Sequence, residues 1–343
     1  MLNMQSRKIQ IGVIGAGKIA SFFHLPVLSN FQDVEIAFIA DIRDAGVLAR
    51  VYRAQAITIR ESLEALPVCD VVLLAIPVGV RDVYIQEFAR RGSYIFSEKP
   101  FAPTLEQHKL WMSLTDRMMC NYHRVLYKPM RQMKRLLGTD VLGELRAVRI
   151  WEGGLIGKTG KGKGSYQNDL KLSGGGIVIE WGCHTLSQLD YLFDDYQSTL
   201  IRADVEYQDG FDVELNAAWE FVREGRIVSV EYQLSVVRPL RTGIEFEFER
   251  ATVTFDHTKP DALLAISGRK TKSTSGSCSF LLHPDHKGAQ SNYQAFYLKW
   301  KNFLESARTG EKLNVERETS LRTTQWIDGI YARARKPQMK VGR

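Results

Sequence analysis

The sequence predicts an α/β protein: an N-terminal doubly wound parallel sheet, followed by an α+β region built on a large, mostly antiparallel open sheet. Three observations support this. Strand-length apolar runs alternate with helical segments through the first third of the chain. That alternation stops after about Arg124. A long stretch of period-two patterning then follows. The corresponding domains are residues 1–124 and 125–343, and a chain of 343 residues holds two cores comfortably.

The strand-like runs of the first region are 8-KIQIGVI-14, 34-VEIAFIA-40, 70-DVVLLAI-76, 93-SYIFS-97 and 118-MMCNY-122. They are almost continuously apolar, as strands covered by helices on both faces must be. Helical segments are expected near 18–29, 44–54, 61–66, 81–91 and 104–116. In the second region a helix at about 126–137 leads to 145-LRAVRIWEGG-154, a Gly/Lys-rich loop at 157–164, and a helix opened by 173-SGGG-176. Alternating strands follow at 199–207, 212–222, 226–236, 243–250 and 251–256, one face packed and one freer. Helices over 293–310 and 318–335 close the chain, the first stopped by Gly310.

Composition narrows the function classes. Net charge is +7, but basic and acidic residues interleave; only Lys158, Lys161, Lys163 and the tail from Arg333 cluster. That pattern reads as a solvated surface, or as a field drawing in an anionic small molecule, and not as a nucleic-acid face. Cys69, Cys120, Cys183 and Cys278 lie far apart without a C-x-x-C pair, which argues against a disulfide framework or a metal site and suits a reducing compartment. No apolar run has membrane-spanning length, and the N-terminus does not read as a signal peptide. A cytoplasmic location is the expectation.

The first strand ends in 15-GAGKIA-20, and a helix follows. Gly15 permits the tight turn, Gly17 lets backbone approach a pyrophosphate, and Ala20 allows close helix–strand packing. The helix start, with Lys18 and Ile19, offers N–H groups to phosphate. Asp41 ends the second strand, where a carboxylate accepts hydrogen bonds from a ribose diol. It repels a 2′-phosphate, so NAD is favoured; Arg43, two residues on, keeps NADP as the alternative. An ordinary glycine turn with a loop aspartate is the competing explanation.

Lys99 stands in 98-EKP-100, just past a strand end, where open α/β sheets place their chemistry. Pro100 holds Lys99 in extended backbone, so the side chain projects beyond the strand. In 174-GGGIVIEWGCHTLSQLD-190, Glu180 and His184 are four apart and share a helix face. The glycines let that helix start lie close to a neighbour or a ligand. Alone, His184 reads as a satisfied core histidine and Glu180 as a surface carboxylate. Two other motifs carry no site. The loop 153-GGLIGKT-159 lacks the glycine spacing of a phosphate loop, and 283-HPDH-286 reads as a solvated turn.

With 15-GAGKIA-20, 24-HLPVL-28, Asp41, 98-EKP-100, 121-NYHR-124, 174-GGGIVIEWGCH-184 and 303-FLESARTGEKL-313 in this order, the chain resembles the glucose-fructose oxidoreductase / inositol dehydrogenase / MocA family. The resemblance spans nearly the whole chain. It implies an N-terminal Rossmann domain and a C-terminal domain whose sheet makes homodimer or homotetramer contacts. It also implies hydride transfer between a nicotinamide and a sugar or cyclitol carbon. Lys99 then corresponds to the catalytic lysine, His184 to the acid/base histidine, and Glu180 to a carboxylate usually written Asp. Ile76, Pro77 and Glu98 fall beside the cofactor, and Arg124 and Asp169 join Lys99, Glu180 and His184 on the substrate side. Ile76 and Arg81 stand where Thr and His are common, and Ser187 where an acid is frequent. Relatives that work as NAD-dependent glycosidases through transient oxidation, or as NAD-binding regulators without chemistry, define the alternatives.

Overall fold

A computed structural model describes residues 7–60, 63–154, 165–268 and 288–334. Two compact units emerge. One runs to His123 and takes in Lys171–Gly174 and Asn292–Leu321; the other holds Arg124–Leu170, Gly175–Ser291 and the remainder from Arg322.

The first unit is built on a six-stranded parallel sheet: β1 (Ile9–Ile14), β2 (Val34–Asp41), β3 (Gln55–Thr58), β4 (Val71–Leu74), β5 (Tyr94–Ser97) and β6 (Met118–Cys120), in the order β3-β2-β1-β4-β5-β6. The order reverses between β1 and β4, which creates the crevice at the carboxyl ends of the strands where such sheets bind ligands. β3 was not expected, since it falls where the helix predicted over 44–54 would end and just beyond it. The helix there is only Gly46–Val51, and β3 is a largely exposed edge strand with no apolar run to announce it. The helix expected at 61–66 is a turn over 63–66, the part that the described residues include.

The helix Asn292–Thr309 belongs to this unit although the domain division drawn from sequence places it in the other. Its spacing explains why. Phe296, Trp300, Phe303, Leu304 and Ala307 recur at helical intervals and join the core that β1 and β5 line. Trp300 is fully buried and stacks on Phe96 of β5, centroids 4.1 Å apart and planes 12° from parallel. Truncating such a ring to alanine costs about 3–5 kcal/mol.

The second unit carries a seven-stranded sheet: β7 (Leu145–Gly153), β8 (Gln197–Gln208), β9 (Phe211–Arg223), β10 (Arg226–Ser235), β11 (Gly243–Phe248), β12 (Ala251–Phe255) and β13 (Ala265–Gly268), in the order β13-β12-β11-β7-β10-β9-β8. All pairings are antiparallel except β7 with β10. Asp209–Gly210 and Glu224–Gly225 sit at positive φ, which gives the two hairpins the turn that matches strand twist. In β10, Val228, Val230, Tyr232 and Leu234 are buried while Ile227, Ser229 and Glu231 are exposed, so one face is packed. The helix Lys128–Leu137 buries Pro129, Met130, Met133 and Leu136. Its Lys134 ammonium lies 3.0 Å from the Leu192 carbonyl at the end of the helix Cys183–Leu192, where the helix dipole favours a cation.

Candidate active site

The glycine turn is built as the sequence requires. Gly15 adopts φ +98, and a Cβ there would lie 2.4 Å from the Ala75 carbonyl oxygen. Above Gly17, by contrast, nothing stands within 4 Å of a Cβ position. Ala20 is fully buried against the sheet. Ile19 is already helical and leads into a π-helical turn, Ala20–His24. Lys18 is exposed and Ile19 half-buried.

Asp41 closes this turn from the end of β2. One carboxylate oxygen accepts the Ala16 N–H at 2.8 Å, and the other accepts the Arg43 N–H at 2.9 Å. The Arg43 guanidinium is 84% exposed and approaches Asp41 only to 3.8 Å. Each carboxylate oxygen keeps a further lone pair for a ribose hydroxyl. Open space over Gly17, a helix start beside it and an acceptor at the end of β2 together fit a dinucleotide.

Past β4, Ile76 and Pro77 enter a short turn that ends at Arg81, which is 2% exposed. Its guanidinium donates to the carbonyl oxygens of Ile76 (2.9 and 3.0 Å), Glu98 (2.5 Å) and Pro100. One buried cation thus ties the Ile76 turn to both neighbours of Lys99. Arg81 is the brace of the lysine loop. The sequence marked Arg81 as a departure but not as part of the site.

Lys99 is half-buried, and the Lys99–Pro100 peptide is cis. Glu98 is buried, and its carboxylate accepts from His24 Nε2 at 2.7 Å, from the Asn121 amide at 2.6 Å and from the Lys99 N–H at 3.2 Å. Desolvation opposes its charge, but these donors outweigh burial and hold the carboxyl below its ordinary range. Glu98 therefore faces inward to the scaffold of the lysine. His24 was legible only as the start of 24-HLPVL-28; nothing local in the sequence pairs it with Glu98.

In the second unit, Asp212 at the start of β9 accepts the N–H groups of Gly176 (2.6 Å) and Val178 (2.7 Å) and the Tyr331 hydroxyl (3.0 Å). A Cβ on Gly176 would lie 2.3 Å from the Asp212 backbone oxygen. The neighbour that this glycine admits is thus Asp212. The helix does not begin regularly: Val178–Gly182 is a π-helical turn, followed by Cys183–Leu192. π-Turns occur disproportionately at functional positions. Glu180 is half-buried and receives the Gln167 amide at 2.7 Å; His184 is buried, 6% exposed, and its backbone carbonyl takes the Ser187 hydroxyl.

Arg124 lies 3.2 Å from Glu152, so its charge is already balanced inside this unit. Glu152 is buried; burial raises its pKa, but His257, Arg124 and the Thr185 hydroxyl, 2.6 Å away, pull it lower overall. Asp169 is exposed after the turn Tyr166–Asn168. Lys158, Lys161, Lys163, Cys278 and 283-HPDH-286 lie outside the described residues. Among the described residues, no group of three or more His, Cys, Asp or Glu is placed to hold a metal, and no helix is long and apolar enough to cross a membrane.

Residues 9–123 match the model of an oxidoreductase family with an NAD-binding Rossmann fold, and residues 130–254 match the GFO/IDH/MocA C-terminal domain. The rhizopine catabolism protein MocA of Rhizobium meliloti is 25% identical over 195 residues, which cover 54% of this chain and 57% of that protein. The chain's match spans about half the length of such curated relatives. Two solved structures are similar over almost their whole length. KijD10, a 3-ketoreductase from Actinomadura kijaniata in complex with NADP and TDP-benzene, superposes with a TM-score of 0.79 at 20% identity, covering 95% of this chain and 98% of that one. A levoglucosan dehydrogenase in complex with NADH and levoglucosan also reaches 0.79, at 16% identity, covering 96% and 97%. At these identities the likeness speaks for the fold. With both halves of the pattern matched in order, the chain belongs to the Gfo/Idh/MocA oxidoreductase family.

Proposed function

We propose that the protein is an NAD(P)-dependent dehydrogenase or reductase acting on a hydroxyl- or keto-bearing carbon of a sugar, sugar derivative or cyclitol. The observation that carries this reading is the presentation of Lys99. It stands beyond β5, at the carboxyl edge of a switch-point sheet, on a loop braced by Arg81 and Glu98. The activities named for the relatives support the class: a 3-ketoreductase, a levoglucosan dehydrogenase and a D-glucoside 3-dehydrogenase.

Gly15, Gly17, Lys18 and Ile19 would hold the pyrophosphate, Asp41 the ribose diol, and Ile76 and Pro77 would flank the nicotinamide end. When bound, the nicotinamide supplies hydride-transfer chemistry. In the oxidative direction Lys99 binds the reacting oxygen and His184 takes the hydroxyl proton; in reduction His184 returns it. Glu180, one methylene longer than the family's usual Asp, binds a neighbouring hydroxyl. Asp41 favours NAD, with NADP as the alternative.

The test monitors reduced-nicotinamide absorbance over a panel of sugars, sugar derivatives and cyclitols with NAD and NADP. Lys99→Ala and His184→Ala should each lower turnover by about 100-fold or more, with dinucleotide affinity retained. Unchanged turnover in either variant contradicts the assignment.

A further inference from the structure

Behind Lys99 lies a buried polar chain that the hydride-transfer reading does not use. Trp300, on the helix Asn292–Thr309, directs its indole nitrogen at His24 Nδ1, 2.9 Å away. An indole N–H can only donate, so Nδ1 carries a lone pair and no proton. The ring proton must then sit on Nε2, which points at Glu98 across 2.7 Å. The same Glu98 oxygen accepts the Asn121 amide at 2.6 Å, and the other oxygen accepts the Lys99 backbone N–H at 3.2 Å. Every donor in this chain has a fixed direction.

The surroundings hold that direction. His24 is fully buried, and its ring meets Phe96, Phe296 and Trp300 at 78°, 63° and 90°. Trp300 is itself pinned by stacking on Phe96, two residues before Glu98. In such a box the Nδ1–H tautomer would set two lone pairs against each other at Glu98 and two N–H groups against each other at Trp300. Each mismatch in low dielectric costs far more than in water. The other titratable group facing Glu98 is His123, whose ring packs on Phe296.

We propose that Glu98 is a positioning residue for Lys99, and that Trp300 keeps it a pure hydrogen-bond acceptor by locking His24 as the Nε2–H tautomer. Arg81 fixes the carbonyls on either side of Lys99, and Glu98 fixes its N–H. The lysine backbone is thereby set from within the first unit, before any substrate arrives. The inference rests on the proposed role of Lys99 as the oxygen-binding residue.

Two measurements test it. The first needs no substrate: long-range 15N NMR of histidine-labelled full-length protein, with His24 assigned by its loss in His24→Gln. The expected spectrum shows an unprotonated Nδ1 and a protonated Nε2, and Trp300→Phe, which retains an aromatic ring, changes that signature. An imidazolium, or the Nδ1–H tautomer, in the wild type overturns the proposal. The second uses the substrate found by the absorbance panel. Glu98→Gln and Trp300→Phe should each lower kcat by about 10–100-fold, since a misplacement near 1 Å costs about that much, while the dinucleotide Kd stays within about twofold. Wild-type kcat in both variants, with Lys99→Ala inactive, sinks the positioning role alone. Wild-type turnover in Lys99→Ala sinks the reading it rests on.

Discussion

The Asp212 carboxylate holds the backbone N–H of Gly176 at 2.6 Å, while its own backbone oxygen occupies the place where a Gly176 Cβ would project. The strand start and the entry to the Glu180–His184 helix are fitted to each other at van der Waals limit. The backbone of β9 cannot swing aside as a flexible side chain would. Gly176→Ala should therefore cost about 3 kcal/mol of stability, from overpacking and from loss of the buried hydrogen bonds. Urea unfolding checks this; a wild-type midpoint would show that the contact is not tight.

Gly15 and Gly17 should separate stability from ligand binding. Gly15 has positive φ and a carbonyl where its Cβ would be, so Gly15→Ala should lower stability by more than about 1 kcal/mol. Gly17 has open space there, so Gly17→Ala should leave the melting temperature unchanged. Its methyl would instead stand where a pyrophosphate must approach backbone, and NAD affinity should fall at least about tenfold. Isothermal calorimetry and thermal melts on the two variants decide. Loss of stability in Gly17→Ala, or full NAD affinity, contradicts this assignment.

Two buried carboxylates set an acid limit. Burial opposes ionisation of Glu98 and Glu152, yet the hydrogen-bond donors around each, with His123 near Glu98 and Arg124 beside Glu152, hold Glu98 below an ordinary 4.5 and Glu152 at about 2. Below 4.5 the unfolded chain takes up protons that the folded chain refuses. Their contribution is complete above that value and is lost as pH falls toward about 2. Glu98→Gln should lower stability near neutrality and flatten the loss between about pH 5 and about pH 3. Urea titrations at several pH values measure both. An unchanged slope would mean that Glu98 is not the acid-sensitive group.

Much of the first sheet was legible because its strands announce themselves as apolar runs. β3, with Gln55, Ala56 and Thr58 exposed, has no such run and was missed. The alternation in β9 and β10 marked strands with one packed face. It carried no information about β7 joining β10 in parallel, because a strand's own pattern does not name its neighbour. The glycine turn and Asp41 were readable because backbone geometry dictates those residue types. The Glu98–His24–Trp300 chain was not: its members lie 74 and 276 positions apart, and Glu98 was expected beside the cofactor. The braces from Arg81 run to carbonyl oxygens, which every residue possesses and no motif records.

The measurement that bears most directly on the central claim is a crystal structure of the protein with NAD bound, reading Lys99 Nζ and the His184 ring against nicotinamide C4. The expected result has both groups on the same side of the ring, close enough to share one oxygen of a carbon placed about 3–3.5 Å from C4. An amine and an imidazole on opposite sides of the nicotinamide, or about 10 Å or more apart, would contradict hydride transfer by this pair.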